Sequence, residues 1–206
     1  MNKEGMIYTI VFIFTVSFAF VFLLSMTNQA TIEQVRLNQE LARQRAVLSA
    51  MGIEFETDQE VMERFDEIAA DPVAGLYVGQ VEDRTAYARE FSGSGVWGLI
   101  SGIAAVTADL EQFIGIEIVD DNETPGLGGR INEEWYKAQF EGLPIPEPGI
   151  RVRMGNPDLE AGIIDGVTGA TGTSMAMQSI INRVIDDFRS PAVQSRLEEL
   201  AAGADR

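Results

Sequence analysis

Two stretches of the chain stand out for residue types and spacing that could serve chemistry. The first is Asp165-Gly166-Val167-Thr168-Gly169-Ala170-Thr171-Gly172-Thr173-Ser174, set between an apolar strand-like stretch and a segment of helical periodicity. Its small residues allow close backbone approach, and a helix starting there presents unpaired N–H groups and a positive dipole end. That combination suits a phosphate. It is not a Walker loop: no Lys occurs between Met154 and Arg183, so the required G-K-[ST] is absent. Taken alone, the segment is equally well an ordinary helix N-cap by Thr171, Thr173 or Ser174. The second stretch is Asn122-Glu123-Thr124-Pro125-Gly126-Leu127-Gly128-Gly129, directly after a predicted strand. Its glycines and proline demand unusual backbone geometry, although a tight strand-to-helix turn would ask for the same residues. Asn122-Glu123-Thr124 also fits the glycosylation sequon, a three-residue match too short to carry weight.

Composition narrows the chemistry further. The 206 residues include 15 Lys+Arg and 32 Asp+Glu, for a net charge of −17, which argues against a nucleic-acid surface. The chain has no Cys and no His. Disulfides, thiolate and imidazole metal sites, iron–sulfur clusters and Ser-His or Cys-His catalytic pairs are thereby excluded. No catalytic residue and no metal ligand set is expected, and the surplus carboxylates fit solvated helix faces.

The elements that must position the two stretches follow from periodicity. Met177, Ile180, Ile181, Val184, Ile185 and Phe188 form an i, i+3, i+4 stripe predicting a helix over about 172–188. Ser190-Pro191 ends it and opens a last polar helix. Short strands are expected at 75–81, 87–91 and 150–154, and a long apolar run covers 96–106. Residues 113–119 alternate, with Ile114, Ile116 and Ile118 assigned to one face, so 96–119 reads as an antiparallel hairpin. A short helix is expected at 133–140. Thr57-Asp58-Gln59-Glu60 is a capping-box pattern for a helix ending near Asp71-Pro72. Residues 31–51 read as a helix, either a stalk or an element packed on the domain edge. The fold class expected is α+β, with a mainly antiparallel sheet.

Residues 6–26 contain no charge, Gly or Pro. As a helix they span about 30 Å, the thickness of a bilayer's hydrocarbon core. The run is longer than a signal-peptide core of roughly 7–15 residues, and Ser25-Met26-Thr27-Asn28 has no A-x-A-like cleavage site. An uncleaved anchor is expected, contacting lipid. Positive charges do not set its orientation, since Lys3 precedes the span and Arg36, Arg43 and Arg45 follow it. The expected division is 1–30 for the anchor segment, 31–71 for a helical stalk or packing region, and 72–206 for the α+β domain.

Together the two stretches resemble the FMN-binding subunits of two related membrane assemblies, the Na+-translocating NADH:quinone reductase and the Rnf electron-transport complex. The family pattern D-x-x-[S/T]-G-A-T is matched by Asp165, Thr168, Gly169, Ala170 and Thr171, and E-T-P-G-L-G by Glu123, Thr124, Pro125, Gly126, Leu127 and Gly128. Residues 41–48 and Gly95-Val96-Trp97-Gly98 look more like the quinone-reductase member of the pair. The resemblance implies FMN bound covalently, its phosphate esterified to Thr171 by a separate flavin transferase that uses FAD and Mg2+. It gives Asp165 a role in transferase recognition or loop support, and places residues 123–128 along the isoalloxazine. It further implies an electron-transfer subunit of a membrane-bound, ion-translocating oxidoreductase, with other subunits as partners and NADH oxidised elsewhere in the complex. Its N-terminus would be cytoplasmic and its domain on the outer side of the cytoplasmic membrane. The Rnf-type complex is the alternative, and a flavin-free anchored binding or assembly module is the rival of another class. Asp121 stands where members commonly carry His.

Overall fold

The computed structural model describes residues 3–81 and 84–204. The chain divides into two units, Met1–Glu40 and Leu41–Arg206. The first consists of the greater part of helix α1 (Lys3–Ala50), whose most apolar window has a mean hydropathy of 2.6. It is long and apolar enough to cross a membrane. Its threonine hydroxyls are satisfied within the helix: Thr9, Thr15 and Thr27 donate to the carbonyls of Gly5, Val11 and Leu23 at 2.8–2.9 Å. A hydroxyl so bonded lowers the cost of hydrocarbon contact. Phe14, Phe18 and Phe22 stack one turn apart along one side, with centroids 6.3 and 6.4 Å apart.

The second unit is built on a five-stranded antiparallel meander, β1 (Ala69–Asp71), β2 (Leu76–Val81), β3 (Arg84–Ser94), β4 (Leu99–Thr107) and β5 (Phe113–Asp121). The mainly antiparallel α+β architecture matches expectation. A parallel pair, β6 (Arg151–Arg153) and β7 (Ile163–Asp165), lies outside that sheet. The large sheet is buried on both faces. On one face Leu76, Val78, Phe91, Ile100, Ala104 and Ile116 pack with the stripe of α4 (Thr171–Arg189) and with Leu197 of α5 (Pro191–Ala204). The other face gathers Tyr77, Ala86, Ala88, Ile103 and Ala105 with Ala46, Val47, Leu48 and Met51 and with Val61 of α2 (Asp58–Phe65). All six apolar stripe residues of α4 are buried. Its polar positions also serve the fold: Asn182 brackets Ile150 with two hydrogen bonds, and Gln178 accepts from the Val152 N–H.

The compact unit begins at Leu41, and the last turns of α1 are core residues, with Leu48 completely buried. Several expectations are corrected here. The helix opened by Thr57, which accepts from the Glu60 N–H at 3.2 Å, stops at Phe65 rather than near Asp71. Ala69–Asp71 instead pair with β2, because the ladder satisfies their backbone better than a frayed helix end. The apolar run at 96–106 becomes strand only at Leu99; Gly95 donates to the Gly98 carbonyl at 2.7 Å, so Val96 and Trp97 form the β3–β4 turn.

Ile114 does not share a face with Ile116 and Ile118. Gly115 pairs with Ala105 and Phe113 with Val106, leaving Ile114 as the extra residue of a bulge. Phe113 thereby takes the place on the α4 side, while Ile114 packs among the α1 and α2 residues.

Helix α3 (Glu134–Lys137) carries Tyr136 into the core, fully buried against Phe140. Its hydroxyl has no hydrogen-bond partner among the described residues, and burial pushes the phenol well above its ordinary range. A buried unpaired hydroxyl costs about 1–3 kcal/mol. Tyr136→Phe is therefore expected to raise stability by about 1 kcal/mol, read as a higher urea midpoint at unchanged slope.

Candidate functional site

Three connections meet at the start of α4. The first is the turn from β7 into the helix. Ala170 donates to the Val167 carbonyl at 2.9 Å, and Gly169 has φ +84°, so Val167–Ala170 is a turn whose third position favours glycine. Ser174 locks this turn from below, accepting from the Val167 N–H at 2.9 Å and donating to the Ala170 carbonyl at 3.0 Å. Thr168 and Gly169 are exposed at its tip, and Ala170 is buried beneath it.

Thr171 opens the helix. Ala170 occupies the N-cap position and supplies no side-chain cap, so the N-cap alternative for Thr171, Thr173 and Ser174 does not hold. Thr171 is exposed, and its hydroxyl makes no hydrogen bond among the described residues. Thr173 and Ser174 are buried and committed to other partners. Of the hydroxyls at this helix start, Thr171 alone is both solvent-facing and inside the first turn.

The second connection follows β5. Leu127 donates to the Thr124 carbonyl at 3.1 Å and Gly126 has φ +75°, so Thr124-Pro125-Gly126-Leu127 is a turn of the Pro-Gly kind. Thr124, Pro125, Gly126 and Leu127 are all exposed, and Gly128 is buried. Asp121 braces the loop, accepting from the Glu123 N–H at 2.8 Å and from Asn132 Nδ2 at 2.5 Å. A Cβ on Gly169 would lie 3.3 Å from Leu127 Cδ2, which brings the two loops into contact.

The third connection is the β3–β4 turn, which residue pattern alone does not single out as part of the site. A Cβ on Gly172 would sit 2.8 Å from Val96 Cγ2, and one on Gly98 2.6 Å from Asn122 Cβ. Trp97 is 74% exposed at the tip. Val96, Trp97, Leu127 and Met175 thus leave an exposed apolar border around the first turn of α4.

Glu123 joins all three. Only 7% exposed, its Oε1 accepts from the N–H groups of Val96 at 2.7 Å and Trp97 at 3.1 Å, and its Oε2 accepts from the Thr173 hydroxyl at 2.6 Å. Gly95 and Gly128 make room for it: a Cβ on either would fall 2.3 or 2.5 Å from a carboxylate oxygen. Glu123 faces inward, unlike the exposed residues that follow it. Asp165 also acts within the scaffold, its carboxylate accepting from the Gly155 N–H at 2.6 Å while Gln139 brackets its backbone at 2.6 and 3.3 Å. No cluster of potential metal ligands occurs among the described residues.

Chemically, this is an accessible hydroxyl at an uncapped helix start with small residues beside it and an apolar rim. A phosphate ester on Thr171 would face the free first-turn amides, each favourable charge–dipole contact contributing about 0.3–1 kcal/mol. An aromatic ring attached to that phosphate would find Val96, Trp97 and Leu127 as apolar neighbours.

The FMN-binding domain family model matches residues 95–186, beginning at the β3–β4 turn and ending within α4. The C subunit of the Na+-translocating NADH-quinone reductase of Yersinia pestis is 35% identical over 95 residues, 44% of this chain and 36% of that protein. The match to the corresponding Vibrio anguillarum protein, also 35% identical, covers 40% of that protein. This chain thus spans about two fifths of the quinone-reductase relatives it matches. The G subunit of the ion-translocating oxidoreductase complex of Methanosarcina acetivorans is 26% identical over 183 residues, 87% of this chain and 91% of that protein. Among solved structures, the C subunit of the Parabacteroides distasonis Na+-translocating NADH-quinone reductase superposes with a TM-score of 0.65 at 19% identity, over 76% of this chain and 94% of that one. Both sequence motifs thus lie within the stretch that matches the FMN-binding domain family, and the chain is similar to the C subunits of Na+-translocating NADH-quinone reductases and to the G subunit of an ion-translocating oxidoreductase complex.

Proposed function

We propose that this chain is the electron-transfer subunit of a membrane-bound, ion-translocating oxidoreductase complex, carrying FMN joined through its phosphate to Thr171. The observation that carries this reading is the solvent-facing Thr171 hydroxyl, without an internal partner, at an uncapped helix start. In maturation, the Thr171 hydroxyl attacks the FMN phosphorus of FAD within a flavin transferase that supplies Mg2+. The P–O–P bond breaks, AMP leaves, and the hydroxyl proton passes to a base of the transferase. Gly169 and Ala170 keep the approach unobstructed, and Thr168 offers the transferase an exposed hydroxyl. The Asp165–Gly155 bond supports Asp165 as a brace of the turn.

When bound, the isoalloxazine supplies reversible electron storage. Leu127, Val96 and Trp97 shield one part of it from water, and the exposed loop 124–127 presents backbone groups to its edge. The apolar span of α1 tethers the domain in the cytoplasmic membrane beside its partner subunits, N-terminus inside and domain outside. The chain has neither Cys nor a dinucleotide fingerprint, so NADH oxidation falls to those partners.

The extent of the match to the Methanosarcina protein, 91% of its length, favours a second reading in which the complex is of the Rnf type. Co-purification from the native membrane separates the two by the subunits recovered. The flavin itself is tested by expressing the full chain with and without a flavin transferase. With the transferase, the intact mass gains one FMN and a denaturing gel shows ultraviolet-excited fluorescence; an unlabelled chain removes the reading in favour of a flavin-free anchored module.

A further inference from the structure

We propose that the buried carboxylate of Glu123 is a positioning residue that also lowers the reduction potential of the flavin, an inference resting on the flavin reading above. Three donors converge on this side chain: the N–H groups of Val96 and Trp97 and the hydroxyl of Thr173. All three donate, which is the set an ionised carboxylate requires and a protonated one would waste. The bonds tie the turn bearing Trp97 to the helix whose first residue is Thr171, two positions before Thr173. They also fix a negative charge behind the apolar border of the site, where little water screens it: Glu123 and Thr173 are 7% and 3% exposed.

The glycines on either side show that the position is built for this group. Gly95 and Gly128, from two different connections, each leave out the Cβ that would strike one of its oxygens. A loop that needed only an apolar plug would not require an acid held by three donors. Each electron accepted by the isoalloxazine adds negative charge, and a fixed carboxylate nearby opposes that gain. The exposed positions 124–127 are left to meet the ligand, while Glu123 acts through the Val96–Trp97 turn and through Thr173.

Two isosteric variants separate electrostatics from simple disturbance. Glu123→Gln keeps an oxygen for the two backbone N–H groups and removes the charge. Thr173→Val keeps the charge and removes one donor that offsets it. The full chain and both variants are expressed with a flavin transferase, checked for FMN by intact mass, and titrated anaerobically with dithionite and mediator dyes. The expected result is opposite shifts: Glu123→Gln becomes easier to reduce and Thr173→Val harder. The Glu123→Gln change is expected to be about tenfold in the equilibrium constant, about 30 mV for a two-electron couple. A loaded wild type with no shift in Glu123→Gln, or shifts of the same sign in both, overturns the inference and leaves the flavin reading standing. If Glu123→Gln takes up no FMN, Thr173→Val decides: a negative shift supports the inference and an unchanged potential overturns it. A bare wild-type chain overturns the flavin reading and this inference with it.

Discussion

Thr171→Ala is expected to abolish covalent flavin, reducing gel fluorescence to background and leaving the intact mass at that of the bare polypeptide. The structure makes this specific to one hydroxyl among the four between Thr168 and Ser174. Ser174 is spent within its own turn and Thr173 on Glu123, and both are buried. Thr168 is exposed but lies in the turn before the helix, away from the first-turn amides that would receive the phosphate. Thr168→Ala is therefore expected to keep a covalent label, and Thr171→Ser should also retain labelling because the nucleophilic oxygen remains. Neither change at 171 removes a packed group, so stability should move by no more than about 0.5 kcal/mol. Equal urea midpoints for wild type and Thr171→Ala, beside complete loss of label, would assign the loss to chemistry and not to misfolding. A label that persists in Thr171→Ala places the attachment elsewhere.

The difference between what the sequence discloses and what only the structure discloses follows from range. The stripe of α4 and the capping residue Thr57 act within a few residues, and each is legible because i, i+3 and i, i+4 spacing is a local property. The two turns with Gly126 and Gly169 are likewise local, since a positive φ selects glycine whatever surrounds it. Ile114 escapes the alternation rule because that rule assumes an unbroken ladder; the bulge arises from pairing between β4 and β5, which no single strand encodes. The Glu123–Thr173 bond spans fifty residues, so the motif that singles out Glu123 gives no sign that its carboxylate turns inward to Thr173. The Gly95–Val96–Trp97–Gly98 turn merges into an apolar run, because hydrophobicity alone does not distinguish a buried strand from an exposed hairpin tip. Its signal is the pair of glycines flanking Val96 and Trp97, which marks a turn before it marks a strand. The last turns of α1 are similarly ambiguous: Ala46, Val47 and Leu48 become core only because the sheet offers them a face.

The glycines of the E-T-P-G-L-G-G loop provide the second large effect, and they separate backbone strain from lost space. At Gly126 a Cβ meets nothing within 4 Å, and the only penalty is the left-handed backbone at φ +75°. Gly126→Ala should therefore cost about 1–2 kcal/mol and leave the fold and Glu123 in place. Gly128 carries no such backbone penalty, yet its Cβ would lie 2.5 Å from Glu123 Oε2, 2.6 Å from Thr173 Oγ1 and 3.0 Å from Glu123 Cβ. Elsewhere a side-chain end at that distance would swing aside. Here the carboxylate is held by three hydrogen bonds and faces Gly95 on its other side, so moving it leaves the Val96 and Trp97 N–H groups and the Thr173 hydroxyl without their partner. Hydrogen bonds to a charged group contribute about 1.5–3 kcal/mol each, and overpacking alone costs about 1–3 kcal/mol. Gly128→Ala is expected to lose about 3–5 kcal/mol, more than the cost of Gly126→Ala, measured by urea denaturation of the full chain in detergent. Because the displaced bonds anchor the helix start, flavin incorporation should fall in Gly128→Ala and persist in Gly126→Ala. Equal costs for the two substitutions would mean that the carboxylate is free to move and does not hold the three connections together.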